Sequence, residues 1–172
     1  MWFHGSDRKL NCQLATLVRV ADVQWLSEPE QRAWRAYLEA TSRLSDRFNR
    51  DLQRTHGLSM TDYEILVRLS EAPGRRIRMT QLAAETFSSK SRLSHAINRL
   101  ESAGMVERVG CDTDKRGWYA KLTDDGFARL EQAAPDHVRS VRRHLLEALS
   151  QDDFLAVGES MAAIVAHLRA EE

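Results

Sequence analysis

The sequence is poor in the features that mark secreted, low-complexity and membrane-spanning proteins. Among its 172 residues are two cysteines, Cys12 and Cys111, which are too few for a disulfide framework. Three prolines and eight glycines are spread through it, and it has no internal repeat and no low-complexity tract. No run of apolar residues approaches the length of about 18 that a transmembrane helix needs.

The N-terminus also lacks a good signal peptide. Arg8 and Lys9 precede the apolar stretch LNCQLATLV, but Arg19 interrupts it soon afterwards and no small-residue cleavage site follows. The chain is 42% apolar and 29% charged, which is ordinary for a globular protein and excludes wholesale disorder. We therefore expect a cytoplasmic protein with one domain, or one domain and an accessory element, around a real core.

The whole chain has no formal net charge, but its middle segment is positively charged. Lysine and arginine number 25, as do aspartate and glutamate, which gives a formal net charge of zero. The span from Arg75 to Lys121 nevertheless holds ten basic and five acidic residues, so it carries +5 and the remainder −5. This asymmetry predicts a polyanionic partner for the middle segment.

Helix-capping residues and apolar periodicity predict a mainly α-helical protein. The capping sites are Ser27, Ser59, Thr80, Ser88 or Ser89, Thr123 and Ser150. The helices are predicted over 28–55, from Ser59 onward, over 81–86, over 88–103, from Asp124 onward, and over 151–170. Gly57 and Gly104 are expected to end the first and fourth helices. Pro135 should kink or split the fifth, whose helical signal continues from 136 to 149.

Two short segments change from the helical period to strict alternation. MVERVGC at 105–111 and WYAKLT at 118–123 flank the polar turn DTDKRG, which predicts a small β-hairpin with a charged tip. Residues 1–26 have no strong period and fit either a short helix over about 11–24 or a flexible arm. The sequence thus divides into an N-terminal extension at 1–26, a helix at 27–57, a helix-and-hairpin domain at 58–123, and C-terminal helices at 124–172.

The helix predicted over SSKSRLSHAINRL, residues 88–100, has one apolar edge and one cationic face. Leu93, Ile97 and Leu100 recur at helical spacing, and the segment contains no acid. Short serines at its start let a backbone come close to DNA, and its cations suit phosphates or guanine. Helix, short helix, turn, helix and hairpin in this order form a winged helix-turn-helix, which reads the major groove with this helix.

Residues on this helix and on the hairpin tip are therefore predicted to bind DNA. They are Ser88, Ser89, Lys90, Ser91, Arg92, His95 and Arg99 on the helix, and Lys115 and Arg116 at the tip. An arginine at such a tip suits a narrow minor groove, and Asp114 is expected to hold Arg116 in position. For His95, a DNA contact and simple exposure to solvent fit equally well.

The chain resembles the MarR family of bacterial transcriptional regulators over about residues 28–170. The matching stretches are LSMTDYEILVRLSEAPGRRIRMTQLA (58–83), SRLSHAINRLESAGMVER (91–108), DKRG (114–117) and LTDDG (122–126). The resemblance implies a homodimer whose terminal helices intertwine, two winged domains on a pseudo-palindromic operator, and Arg116 as the wing arginine. It further implies repression that ends when a small phenolic or other amphipathic effector binds between the two regions.

Several side chains away from the DNA face leave alternatives open. The effector pocket that the resemblance implies is predicted to be lined by Trp34, Tyr37, His56 and Tyr63. Aromatic residues at such positions also serve as core. His137 and His144 lie on one predicted helix, but nothing completes a metal site around them, and neither a metal nor a cofactor is predicted.

The leading hypothesis is a sequence-specific DNA-binding regulator, most simply a repressor that an effector releases. One alternative is a winged-helix interaction or architectural module that binds DNA without specificity. Another is a cysteine-based redox sensor, although the first long helix has no cysteine, and Asp112 and Asp114 disfavour a thiolate at Cys111. No nucleotide-binding, zinc-protease or nucleophile-elbow motif is present, so an enzyme is not expected.

Overall fold

The computed structural model of the chain describes residues 23–86, 89–111 and 114–171, and for residue 111 and residues 114–116 it describes the backbone alone. The chain divides into two units, residues 1–40 and 41–172. The short helix expected at 11–24 falls almost entirely outside the described residues, and residues 23–27 have no regular secondary structure. Among the helices that the structure describes, none has both the length and the apolar character required to cross a membrane.

Helix α1 spans Glu28–His56 and confirms the first predicted helix. At its start the Glu30 carboxylate accepts hydrogen bonds of 2.7 Å from the backbone N–H and from the hydroxyl of Ser27, as expected for a carboxylate that reaches back to the cap. At its end Gly57 has a φ of +68°. Residues with a Cβ rarely adopt that conformation, so glycine suits the end of this helix.

Helix α2 spans Met60–Glu71 and begins with a reciprocal cap. The Ser59 hydroxyl accepts a hydrogen bond of 3.1 Å from the Asp62 N–H, and the Asp62 carboxylate accepts one of 3.1 Å from the Ser59 N–H. This cap fixes the first turn of the helix. The predicted apolar side is buried in the core and consists of Tyr63, Ile65, Leu66 and Leu69.

A small antiparallel sheet lies within the second unit. Its strands are β1 (Arg76–Arg78), β2 (Val106–Cys111) and β3 (Asp114–Leu122), in the spatial order β1-β3-β2. The sequence predicts the hairpin of β2 and β3 but not β1, because three residues are too few to show an alternating pattern. Ile77 pairs with Ala120, and both are buried, so the core contact selects the strand.

The hairpin extends further along its second arm than the sequence predicts. Strand β3 already begins at Asp114, which pairs with Cys111. The prediction that Lys115 and Arg116 lie in a loop is therefore wrong, because their backbone belongs to β3. Charged residues are uncommon in strands, so the sequence pattern does not indicate a strand at Asp114, Lys115 and Arg116. A register shift between Gly110 and Cys111 accommodates the additional residues.

The helix-turn-helix consists of α3 (Met79–Glu85) and α4 (Lys90–Ser102). Arg78 precedes α3 with an extended backbone and no capping side chain. The prediction of Thr80 as the cap is therefore wrong, since β1 continues directly into α3 and leaves no room for a capping turn. Ser89 caps α4 by accepting a hydrogen bond of 3.3 Å from the Arg92 N–H. The alternative cap, Ser88, lies outside the described residues.

The C-terminal elements are α5 (Asp124–His144), a 3₁₀ turn at Leu146–Ala148, and α6 (Gln151–Ala170). Thr123 and Ser150 cap α5 and α6 with their side chains, as predicted. Helix α5 runs unbroken through Pro135, so the predicted split is wrong, and the helix ends before 149. Packing on both sides of the proline supports a continuous helix, because Ala133 is fully buried and the Ser140 hydroxyl donates a 2.7 Å hydrogen bond to Asp51.

The core lies around α2, α4 and the sheet. Its largest fully buried side chains are Leu52, Leu58, Ile65, Leu66, Leu69, Leu82, Leu93, Ile97, Leu100 and Val106. Gly126 shows how closely α5 approaches this core, because a Cβ there would lie 2.1 Å from the carbonyl oxygen of Met105. The functional division at 26, 57 and 123 remains a prediction.

Candidate nucleic-acid interface

Helix α4 has one buried edge and one exposed face. Its buried residues are Leu93, Ala96, Ile97 and Leu100. Its exposed residues in the first turns are Lys90, Ser91, Arg92, Ser94 and His95. The buried edge of α4 is thus the edge that the sequence predicts to pack on the domain. The opposite face, which the sequence assigns to a polyanion, lies open to solvent.

The N-terminal end of α4 has a positive electrostatic character. Its first turn contains no acid, and the unsatisfied N–H groups of a helix start attract anions. Lys90, Arg92 and His95 form no ion pair with any other residue that the structure describes. The positive charges of Lys90 and Arg92 are therefore not neutralised within the described part of the chain. This arrangement suits contact with phosphates.

Arg99, near the end of α4, is not available in the same way. Its guanidinium lies 2.8 Å from the Asp62 carboxylate, whose side chain is 9% exposed, while that of Arg99 is 57% exposed. Asp62 also forms the reciprocal cap of α2 with Ser59. Arg99 therefore ties α4 to the first turn of α2, and a DNA contact by Arg99 has to share the guanidinium with this ion pair.

Arg108, on β2, is a functional candidate that the sequence analysis missed. Its guanidinium donates hydrogen bonds to the Glu101 carboxylate and, at 2.5 Å, to the side-chain oxygen of Asn98. The same side chain lies 3.5 Å from the carbonyl oxygen of Ser94. Glu101 is the only acid of α4, and Arg108 neutralises it. No local sequence pattern could have indicated these contacts, since the partners are on different elements.

The hairpin carries the remaining predicted DNA contacts. The structure places the backbone of Lys115 and Arg116 in β3 and does not describe their side chains. The expected contact between Asp114 and Arg116 thus lies outside the described side chains. Trp118 lies two residues beyond Arg116 on this arm, pairs with Gly110, and is 52% exposed. The wing therefore presents a large aromatic surface that the sequence analysis did not assign.

The four predicted effector residues fall into two groups. Trp34 and Tyr37 belong to the first unit, where their partly exposed rings stack with centroids 5.7 Å apart. His56 and Tyr63 belong to the second unit. Nε2 of His56 lies 2.8 Å from the Asp136 carboxylate, and the ring of Tyr63 lies 4.6 Å from that of His137.

A cleft of about 630 Å³ lies between the C-terminal half of α1 and α5. Of the predicted effector residues in this unit, His56 lines it and Tyr63 does not. Its other lining residues are Arg47, Asp51, Leu52, Arg54, Thr55, Asp136, His137, Arg139, Ser140, Arg142, Arg143, His144 and Glu147. The lining is predominantly charged, with Leu52 as its one aliphatic member.

Hydrogen bonds hold two carboxylates of this cleft, those of Asp51 and Asp136, in their ionised form. The Ser140 hydroxyl, more than Arg47 and Arg54, lowers the pKa of Asp51. The hydrogen bond from His56, followed by that from Arg139, lowers the pKa of Asp136. Both acids are thus negative at neutral pH, and each already has cationic neighbours.

Burial shifts the pKa of three groups in the second unit, of which only His137 lines the cleft. It lowers the pKa of His137 from its usual 6.5, because an imidazolium loses hydration there. It raises the pKa of Tyr63 above 10.0 and that of Glu64 above 4.5, because their charged forms are also less hydrated. His137 is therefore expected to be neutral at neutral pH.

The histidines and cysteines do not form a recognisable metal or thiol site in the described residues. His144 accepts a hydrogen bond of 3.1 Å from Arg47, while His137 packs against Tyr63. No group of three or more His, Cys, Asp or Glu side chains suited to a metal occurs in the described ranges. Cys12 and the side chain of Cys111 lie outside the description.

Comparison with known sequences identifies relatives of the whole arrangement. The sequence model of the MarR family matches residues 56–117. The HTH-type transcriptional regulator PecS of Dickeya dadantii (strain 3937) is 27% identical over 164 residues, which cover 90% of this chain and 98% of that protein. The similarity thus extends beyond the helix-turn-helix into the flanking helices.

Two solved structures from Streptomyces coelicolor are more similar. AbsC, a MarR family transcriptional regulator, is 46% identical with a TM-score of 0.80, over 86% of this chain and 99% of that one. Sco3205, a MarR family transcriptional regulator in complex with DNA, is 43% identical with a TM-score of 0.82, over 85% of this chain and 92% of that one.

Proposed function

Because the chain belongs to the MarR family of transcriptional regulators, we propose that it is a sequence-specific repressor that a small-molecule effector releases from DNA. The observation that supports this most directly is the exposed face of α4. It has one neutralised acid, Glu101, and three cationic or protonatable side chains without an ion-pair partner among the described residues, Lys90, Arg92 and His95. Such a face matches a major groove lined by phosphates.

The proposed DNA contacts are those that the sequence predicts. On α4 and its cap they are Ser88, Ser89, Lys90, Ser91, Arg92, His95 and Arg99, and on the hairpin they are Lys115 and Arg116. Arg99 has the additional task of holding α4 against Asp62. The DNA complex of Sco3205 supports a DNA ligand for this fold.

The proposed assembly is a homodimer on a pseudo-palindromic operator. In the first unit, Trp34 and Leu38 are among the exposed apolar residues of α1. In the second unit, α6 has no buried residue, and Leu155, Ile164 and Leu168 are each about half exposed. Exposed apolar side chains in such numbers favour burial against a second copy, and a twofold dimer would place two α4 helices on successive half-sites.

A titration on two DNAs tests the function. Fluorescence anisotropy would compare DNA from upstream of the chain's own gene with unrelated DNA of equal length, at two salt concentrations. We expect a preference of about a thousandfold or more for one sequence. If the upstream DNA shows no preference, selection from random sequences follows. Equal, salt-sensitive binding to every selected sequence would contradict a specific repressor and favour a non-specific winged-helix module.

A further inference from the structure

Arg108 reaches α4 from the sheet. It pairs with Ala120 across β2 and β3, and Ala120 is fully buried, so both side chains lie on the sheet face that covers the core. Its guanidinium donates hydrogen bonds to Oδ1 of Asn98, at 2.5 Å, and to the Glu101 carboxylate, and it lies 3.5 Å from the carbonyl oxygen of Ser94. The arginine thus contacts three successive turns along one side of α4.

The contact with Arg108 determines which end of the Asn98 amide is free. A guanidinium has hydrogen-bond donors only, so its partner atom has to be the amide oxygen and not the amide nitrogen. Asn98 is exposed, and its Nδ2 has no hydrogen-bond partner among the residues that the structure describes. The free end of Asn98 therefore offers two donors and no acceptor.

The same arginine occupies the other strong acceptor of α4. Asn98 and Glu101 are the only residues of this helix whose side chains contain an amide or carboxylate oxygen. Both oxygens of Glu101 accept from Arg108, one from its backbone N–H and one from its guanidinium. Lys90 and Arg92 have donors alone, while the serine hydroxyls and the histidine of α4 can donate or accept. The helix thus presents strong donors, and both of its strong acceptors are engaged.

This distribution of donors selects among the bases. In the major groove guanine presents two acceptors, N7 and O6, whereas adenine presents the acceptor N7 beside the donor N6. An asparagine with both amide ends free matches adenine, but an asparagine that offers only its nitrogen requires acceptors. Ser91, His95 and Asn98 follow one another at i, i+4 and i+7, so Asn98 lies on the same face as the proposed DNA contacts.

We infer that Arg108 sets the base preference of α4, because it holds Oδ1 of Asn98 and leaves Nδ2 to read guanine in place of adenine. The inference rests on the proposed function, since it requires α4 to lie in the major groove. Arg108 is then a positioning residue that acts on DNA through Asn98. The operator half-site should present a guanine to the third turn of α4.

Base analogues in a selected operator test the guanine contact. Selection from random duplex DNA with the full chain supplies the half-site. Each guanine is then replaced in turn by 7-deazaguanine, which lacks the N7 acceptor, and by inosine, which keeps both major-groove acceptors. At least one 7-deazaguanine should weaken binding about tenfold or more, and inosine at the same place should not. If no 7-deazaguanine weakens binding, the inference is wrong.

Asn98→Ala identifies the guanine that Asn98 reads. In this variant, 7-deazaguanine at that one position should no longer weaken binding, while the effects at the other guanines remain. An Asn98→Ala variant in which every guanine keeps its wild-type effect would overturn the inference, because another side chain then reads them all. Equal weakening on specific and unrelated DNA would also overturn it, since Asn98 would then contact a phosphate.

A matched pair of variants tests the role of Arg108. The double variant Glu101→Gln, Arg108→Met removes the guanidinium together with the acid that it would leave unpaired, and Glu101→Gln alone is the control. The freed Oδ1 lets Asn98 pair with adenine, so the ratio of affinities for guanine and adenine at this position should fall about tenfold or more. The control should keep the wild-type ratio.

This ratio compares two DNAs on one protein sample, so it does not depend on the fraction of folded protein. A purely structural role of Arg108 would therefore leave the ratio unchanged, and that result would overturn the inference. An enriched sequence that Asn98 does not read leaves a specific regulator and contradicts the inference alone. If no sequence is enriched, the proposed function is contradicted and the inference fails with it.

Discussion

The guanidinium of Arg99 on α4 lies 2.8 Å from the carboxylate of Asp62 on α2. The same carboxylate accepts hydrogen bonds from the N–H and the hydroxyl of Ser59. One nearly buried acid therefore both caps α2 and positions the helix proposed to read DNA. Its capping bonds and its ion pair can be separated by mutation.

Asp62→Ala should lower the free energy of unfolding by about 2 kcal/mol, because it removes the carboxylate half of the reciprocal cap and leaves the Ser59 N–H unsatisfied. Arg99→Ala should cost less than about 1 kcal/mol, since its guanidinium is more than half exposed. Urea denaturation of both single variants and the double variant measures the coupling. Equal losses in the two single variants would show that the ion pair, and not the cap, is the dominant interaction of Asp62.

The sequence predicts the helices well because their signals are local. Ser59, Thr123 and Ser150 each cap a helix through an N–H three residues ahead, within the same few residues that the pattern covers. Strand β1 and the first residues of β3 have no such signal, because cross-strand pairing selects them. Thr80 shows the opposite kind of error, a local signal that is present but misleading. It is a suitable capping residue, but β1 leads directly into α3, so Thr80 lies inside the helix.

The candidate site likewise has some features that the sequence predicts and others that it does not. The exposed and buried faces of α4 follow from its periodicity, so the sequence predicts them correctly. The contacts of Arg108 with α4, and of Arg99 with Asp62, join different elements. The charged cleft combines arginines of α1 and α5. None of these relationships is visible before the elements are assembled.

Arg108→Gln should weaken operator binding by about tenfold, because Glu101 then places an unneutralised charge on the α4 helix beside DNA. Adding Glu101→Gln should restore part of the affinity, since the repulsive charge is gone. Anisotropy titrations of the single and double variants provide the measurement. If the second substitution weakens binding further, Arg108 acts by contacting DNA and not by neutralising Glu101.

Stability should depend on pH through His137. Its folded pKa is below 6.5 because of burial, so the unfolded state binds more protons in the window just below that pH. The contribution of His137 is therefore complete above pH 6.5 and is lost as the pH falls. Urea denaturation at several pH values on both sides of 6.5 measures the free energy of unfolding. The slope of this free energy against pH should be smaller for His137→Phe than for the wild type. His167→Phe, on exposed α6, is the control, and an equal reduction of slope there would contradict the role of His137.

Exposed apolar residues of α6 should support self-association. The double variant Ile164→Asp, Leu168→Asp should shift the protein towards monomer, since each such side chain contributes about 1.5–3 kcal/mol when buried. Sedimentation velocity measures the shift, and Glu159→Gln on the same helix is the control. A double variant that remains as associated as the control would place the interface away from this face of α6.

The claim that the exposed face of α4 binds DNA is tested most directly by the salt dependence of operator affinity. Lys90→Gln and Arg92→Gln should each weaken binding and reduce the slope of log affinity against log salt by about one, because one phosphate contact is lost. Arg50→Gln should leave both quantities unchanged. Wild-type affinity and slope in both α4 variants would contradict this placement of the DNA-binding surface.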